Sequence, residues 1–169
     1  LHDIYIEYVT TTPTPPGPIV VGKNVTIYVI VGNQGTYNEN VTVAVYLNHT
    51  TTGTKITLES KNVTNLAPGN STVPPVEFTW NTTGVDYGTY RIIANASVPD
   101  DINLENNVNE DVVLNVVPEA HDIAVTSVAT TPSTVVLSGS ITIDVGLKNE
   151  GNVAESFTLN IGYDGNPID

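Results

Sequence analysis

The sequence predicts an all-β protein: tandem immunoglobulin- or fibronectin-like antiparallel β-sandwiches, the second of them incomplete. Three observations lead there. Apolar and polar residues alternate through run after run of short segments, with no helical period anywhere. Gly, Pro and Asn clusters punctuate those runs every 8 to 12 residues or so, the spacing of strand turns. And the opening HDIYIEYVTTTP, residues 2–13, returns as HDIAVTSVATTP, residues 121–132, with the same residue at seven of twelve positions.

The elements follow in chain order. NVTIYVIVGN, from Asn24, puts Val25, Ile27, Val29 and Val31 on one face, and NVTVAVYLN, from Asn40, does the same with Val41, Val43, Val45 and Leu47. Between them, Asn33-Gln34-Gly35 ends a strand where glycine can take a positive φ. KITLES follows after Thr54, LAPGNST turns at Pro68-Gly69, and VEFTW buries Val76, Phe78 and Trp80. GTYRIIANASV buries Tyr90, Ile92, Ala94 and Ala96, and DVVLNVV closes the first domain near Val117. Seven or more strands in residues 1–118 make one complete sandwich, and Pro118-Glu119 marks the boundary.

Residues 119–169 read as the first half of a second sandwich. SITIDVGLKN and SFTLNIGYD put Ile141, Ile143, Val145, Leu147, Phe157, Leu159, Ile161 and Tyr163 at the inward positions, and Asn149-Glu150-Gly151 matches Asn33-Gln34-Gly35. Nothing in this copy corresponds to residues 54–118. Left wet, each inward side chain forfeits about 1.5–3 kcal/mol, together about 12–24, against a net domain stability of about 5–15. The half-sandwich therefore demands a cover, from further sequence or from a strand of a neighbouring subunit.

Composition narrows the function. The net charge is −13, with five scattered basic residues, so no patch exists to neutralise phosphates, and nucleic acid is excluded as a partner. There are no cysteines, which removes disulfides, thiolate catalysis and thiolate metal sites. No apolar run is long enough for a membrane span, and no leader opens the chain, which also lacks methionine and so reads as a piece of something longer.

The order and spacing of several motifs resemble the CARDB family, the cell adhesion related domain found in bacteria and common in archaeal surface proteins. They are His2-Asp3-Ile4, Asn33-Gln34-Gly35, Leu66-Ala67-Pro68-Gly69, the strand ending at Trp80, Gly88-Thr89-Tyr90 and the stretch DDINLENNVNEDVVLNV from Asp100. The acidic run before Asn106-Asn107 is shorter than the family's. The resemblance covers nearly all of the first copy and the first half of the second, and implies tandem arrays on secreted and surface proteins with no activity of their own.

Candidate chemistry is sparse. Seven N-x-S/T sequons occur, at Asn24, Asn40, Asn48, Asn62, Asn70, Asn81 and Asn95, all in the first copy. Strand alternation turns those on strands outward, where N-linked glycans would cover the faces and discourage edge pairing. The loop PDDINLENNVNED offers oxygen ligands for calcium in Asp100, Asp101, Asn103 and Glu105, without the EF-hand spacing; a solvated turn capped by Asp100 or Asp101 explains the same residues. His2, His49 and His121 are too dispersed for a site. Tyr5, Tyr8, Tyr28, Tyr37 and Tyr46 are candidates for a carbohydrate-binding face, or are ordinary strand residues. No phosphate loop, nucleophile elbow or zinc motif appears, so no catalytic residue and no cofactor is expected.

The expectation is a non-catalytic structural module of a secreted, glycosylated cell-surface assembly: an extracellular filament or surface-layer subunit, or an adhesin stalk. The sequon density points to an archaeal surface. Its partners are other copies of itself or neighbouring repeats, through strand complementation of residues 121–169. The alternative is a carbohydrate-binding accessory domain of a secreted hydrolase.

Overall fold

The computed structural model describes residues 1–168. It divides into two compact units, Leu1–Pro118 and Glu119–Asp169. Both are built of strands, and no helix occurs among the described residues.

The first unit is a two-sheet sandwich. Its smaller sheet orders β1 (Ile4–Thr12), β3 (Asn24–Asn33) and β6 (Val76–Asn81), all antiparallel. The larger sheet runs β2 (Ile19–Val20), β9 (Val113–Val117), β7 (Gly88–Ser97), β4 (Glu39–His49) and β5 (Lys55–Leu66), with β8 (Val108–Asn109) beside β7. Strand β2 pairs parallel with β9, so the chain after β1 crosses from one sheet to the other. The predicted alternation holds: Val25, Ile27, Val29, Val31, Val43, Val45 and Leu47 are fully buried, and Phe78, Trp80, Tyr90 and Ile92 pack among them.

Strand β5 runs on to Leu66, well past the predicted KITLES. Its pairing with β4 shifts register between Val45 and Tyr46, so the inward series changes from Ile56 and Leu58 to Lys61 and Val63. Such a bulge breaks the period-two signal on which the prediction rested. Trp80 and Tyr90 lie 5.0 Å apart, and the Tyr90 hydroxyl donates to the Asp86 carbonyl at 2.9 Å, the tyrosine-corner arrangement of immunoglobulin-like sandwiches.

Gly35 does not take the positive φ expected of it. An added Cβ would lie 2.5 Å from the Leu1 carbonyl oxygen, and at Gly151 the corresponding Cβ would lie 2.1 Å from that of Ala120. Glycine is needed at both for close approach of two backbones. Gly69, by contrast, has φ +73°, as its turn requires.

The second unit pairs β10 (Ile123–Thr131) with β11 (Thr142–Asn149) and adds a small hairpin of β12 (Gly162–Tyr163) and β13 (Asn166–Pro167). The first two repeat the β1–β3 pairing: Ile123 opposes Asn149 as Ile4 opposes Asn33, and the register shifts between Val125 and Ser127 as it does between Ile6 and Tyr8.

Two expectations fail here. SFTLNIGYD forms no ladder before Gly162, and strand β11 starts one residue after Ile141. The counterpart of SFTLNIGYD in the first unit is β4, which is hydrogen-bonded on both sides, by β5 and β7. With neither neighbour in the second unit, its backbone groups have no ladder to join. Three of its four inward residues stay wet accordingly: Phe157 is 51% exposed, Leu159 42% and Tyr163 78%, while Ile161 is half-buried.

Candidate functional site

The seven sequon asparagines are all at the surface. Asn24, Asn40, Asn62, Asn70 and Asn81 are exposed, and Asn48 and Asn95 half-buried. In the strand sequons the middle residue points inward: Val25, Val41, His49 and Ala96 are buried and Val63 half-buried, so Asn-apolar-Thr is simply strand alternation written out. The amide nitrogens separate two kinds of asparagine more sharply. Asn33 is buried and its Nδ2 donates to both the Tyr37 and Leu66 carbonyls at 2.8 Å. None of the seven sequon residues uses Nδ2, the atom that would carry a glycan, in any hydrogen bond of the described residues; Asn40, Asn62 and Asn81 only accept, through Oδ1.

Their distribution is uneven. Asn62 opposes Thr42 and Asn95 opposes Ala44, and with Asn40 and Asn48 they lie on the outer face of the larger sheet. Asn24 and Asn81 oppose each other at one end of the smaller sheet, and Asn70 lies in the turn after Gly69. The middle of the smaller sheet's outer face carries no sequon. There Tyr5 lies over Gly32, Tyr8 opposes Ile30, and Tyr28 stands between Thr10 and Glu77. The five tyrosines picked from sequence therefore divide: three share this face, Tyr46 is on the other sheet under Lys55 Nζ at 4.2 Å, and Tyr37 stacks on His2.

The acidic loop ties the start of β1 to the β7–β8 connection. Asp101 accepts the Ile4 amide through Oδ2 at 3.0 Å and the Asn103 amide through Oδ1 at 2.9 Å. Asn106 accepts the Ile6 amide through its carbonyl and donates from Nδ2 to Asp3 Oδ1 at 3.2 Å. Asp101 thus serves as a turn cap. Asp100, at φ +58°, and Asn103 and Glu105 are exposed. Among the described residues no group of three or more His, Cys, Asp or Glu side chains is placed to hold a metal ion.

The histidines have structural partners that sequence reading missed. His2 Nδ1 donates to Glu39 at 2.7 Å, and the same pair recurs as His121 Nδ1 and Glu155 at 2.5 Å. His49 is buried at the end of β4. Its Nδ1 accepts the Thr51 and Thr52 amides, so the ring proton is on Nε2 and donates to the Tyr87 carbonyl at 3.1 Å. The missed signal was positional: Glu39 and Glu155 occupy equivalent places in the repeat, as His2 and His121 do.

The second unit has its own candidate, an open apolar groove of about 240 Å³ lined by Val125, Val128, Val145, Leu159 and Ile161. Their counterparts in the first unit, Ile6, Val9, Val29, Val43 and Val45, are all buried.

Two packed sheets, antiparallel except where β2 joins β9, and a tyrosine corner define an immunoglobulin-like all-β sandwich. The CARDB family profile matches residues 2–113, and the chain belongs to that family. CARDB is a cell-adhesion-related, non-catalytic domain of bacterial and archaeal proteins. No curated protein matches the chain. Among solved structures it is similar to the CARDB domain of the PF1109 protein from Pyrococcus furiosus, crystallised in complex with di-metal ions, at 27% identity over 69% of this chain and 89% of that one, with a TM-score of 0.49. It is also similar to the β-glucosidase EmGH1 from Erythrobacter marinus, at 18% identity over 69% of this chain and a TM-score of 0.51. That likeness is one of fold, and spans only 16% of the glucosidase. Among the described residues no helix is long and apolar enough to cross a membrane.

Proposed function

We propose that this chain is a structural module of a secreted, N-glycosylated assembly on a microbial, archaeal cell surface, with residues 1–118 a complete sandwich and 119–169 the first half of another. The single observation that carries this is the state of the sequon asparagines: seven surface side chains, none of which the fold holds by its amide nitrogen. A family of adhesion-related domains supports it. The larger sheet's outer face and its long edge strand β5 take glycans, which screen backbone edges from unwanted pairing. The tyrosine face of the smaller sheet, bare of sequons at its centre, is left for contact with neighbouring repeats or copies. Mass spectrometry of the native protein tests the reading: hexose is expected on several of the seven asparagines, and seven unmodified ones would overturn it.

A second reading rests on Tyr5, Tyr8 and Tyr28, whose grouping on one outer face suits stacking against sugar rings, as in a carbohydrate-binding accessory domain of a secreted hydrolase. Glycan-array binding by sugar-free protein, lost in Tyr8→Ala, distinguishes it from the structural reading, which expects none.

A further inference from the structure

In the first unit β5 and β6 are each the last strand of their sheet, so the side between them is where both sheets end. Lys61 Nζ ties the two strands at one point by donating to the Glu77 carbonyl at 2.5 Å. Beyond that tie lies a groove of about 300 Å³, whose lining includes Val63, Asn65, Asn70, Val73, Pro74 and Val76. Val73 is 91% exposed. Of the seven sequon asparagines, Asn70 alone lines this groove. Its backbone is fixed on both sides: the Asn70 amide donates to the Ala67 carbonyl at 3.1 Å, and its carbonyl accepts the Asn33 amide at 2.9 Å. Its Nδ2 is in no hydrogen bond of the described residues. Asn65 is also held in place, at φ +58°, because its amide donates to Asn40 Oδ1 at 3.0 Å and its Oδ1 accepts from Asn38 Nδ2 at 2.8 Å. That leaves Asn65 Nδ2 as a positioned donor.

We propose that this groove seats the first sugar of a glycan carried by Asn70 itself. A pyranose ring has an apolar face of C–H groups and a rim of hydroxyls. Val63, Val73, Pro74 and Val76 suit the face, and Asn65 Nδ2 and the Thr64 hydroxyl suit the rim. The volume is at the small end for ligand sites, which fits a monosaccharide rather than a long oligosaccharide. Such a sugar binds weakly when free, but attachment at a fixed root gives it a high effective concentration, and no loop has to be ordered to receive it. Seated there, it covers Val73 and shields two strand edges from pairing with another chain. Thr72, whose hydroxyl completes the sequon, is buried and accepts the Val31 amide at 3.1 Å, so the sugar joins Asn70 before the turn closes on β3. This rests on reading the sequons as glycosylated, and adds which glycan the fold holds and where.

The test compares the native glycoprotein with the same chain made without sugar. Asn70→Gln should lower the melting temperature of the glycoprotein by about 2–6 °C and leave the sugar-free chain unchanged. Asn24→Gln removes a glycan away from the groove and should change either by no more than about 1 °C. In NMR spectra of the glycoprotein, ring protons of the sugar on Asn70 should show nuclear Overhauser contacts to the methyls of Val63, Val73 and Val76. A sugar on Asn70 without those contacts, or equal effects of the two substitutions in the glycoprotein, would overturn the inference. So would an equal loss from Asn70→Gln in the sugar-free chain, which would place the effect in the asparagine. If Asn70 is bare while other sequons carry hexose, the groove assignment fails and the glycosylated-module reading stands; seven bare asparagines sink both.

Discussion

The two repeats begin with the same hydrogen bonds and end in opposite states. Asn33 and Asn149 each accept the amide of the glycine two residues on, through Oδ1, and each donates to a carbonyl four residues on. The Asp3 carbonyl accepts the Gln34 and Gly35 amides, as that of Asp122 accepts those of Glu150 and Gly151. Yet Leu47 is fully buried, while its counterpart Tyr163 is 78% exposed. The corner where the repeat starts is local: everything it needs is within its first 40 residues or so. The core is not local, because β4 and β3 are dry only when β5, β6 and β7 lie against them. Specification of a strand pair and stabilisation of a sandwich are thus separable, and this chain contains one with and one without the other.

Matched substitutions sharpen the contrast. Leu47→Ala should cost the first unit about 2–5 kcal/mol, and Tyr163→Ala no more than about 0.5; denaturant unfolding reads both, with Trp80, the sole tryptophan, reporting the first unit. Asn33→Ala removes three hydrogen bonds, two of them buried, including the one to the Leu66 carbonyl, so it should cost about 1–3 kcal/mol. Asn149→Ala removes two exposed ones and should cost less than half as much. Loss of equal size at both positions would mean that the second corner is as enclosed as the first.

Smaller effects probe the first unit alone. Burial, then the charge of Asp86, raises the Tyr90 pKa above its ordinary value of 10.0. The neutral phenol's contribution is therefore complete below pH 10 or so and is lost as pH rises through the folded-state value. Tyr90→Phe forfeits the bond to Asp86, about 0.5–1.5 kcal/mol at neutral pH, and should lessen the fall in melting temperature above pH 10 or so. Chelator should leave the melting temperature where it is, because Asp101 acts as a turn cap and no group of three or more His, Cys, Asp or Glu side chains among the described residues is placed to hold a metal ion.

Much of the fold was legible in the sequence, and for a definite reason. Val25 to Val31 and Val41 to Leu47 alternate without interruption because each faces a core on one side and solvent on the other. The signal faded where that condition fails. The bulge in β5 at Leu58 flips the inward series, and in SFTLNIGYD a clear alternation finds no strand to pair with. Buried polar residues were also hidden. Thr72, Glu39 and His49 bond a backbone amide, a histidine and a backbone carbonyl, and those partners lie 41, 37 and 38 residues away. At the surface, the sequons could be read off directly, but the crowding of Asn40, Asn48, Asn62 and Asn95 onto one sheet's outer face and the grouping of Tyr5, Tyr8 and Tyr28 on the other's depended on which strands share a sheet. Strand period alone does not contain that pairing.

Residue-resolved hydrogen exchange on the whole chain compares the two repeats most directly. Slow exchange at Val25 to Val31, approaching the rate set by global unfolding, together with fast exchange at Ile141 to Leu147, is the expected result. Equal protection of the two segments in the monomer would contradict it, since the second sheet would then be covered by nothing other than its own residues.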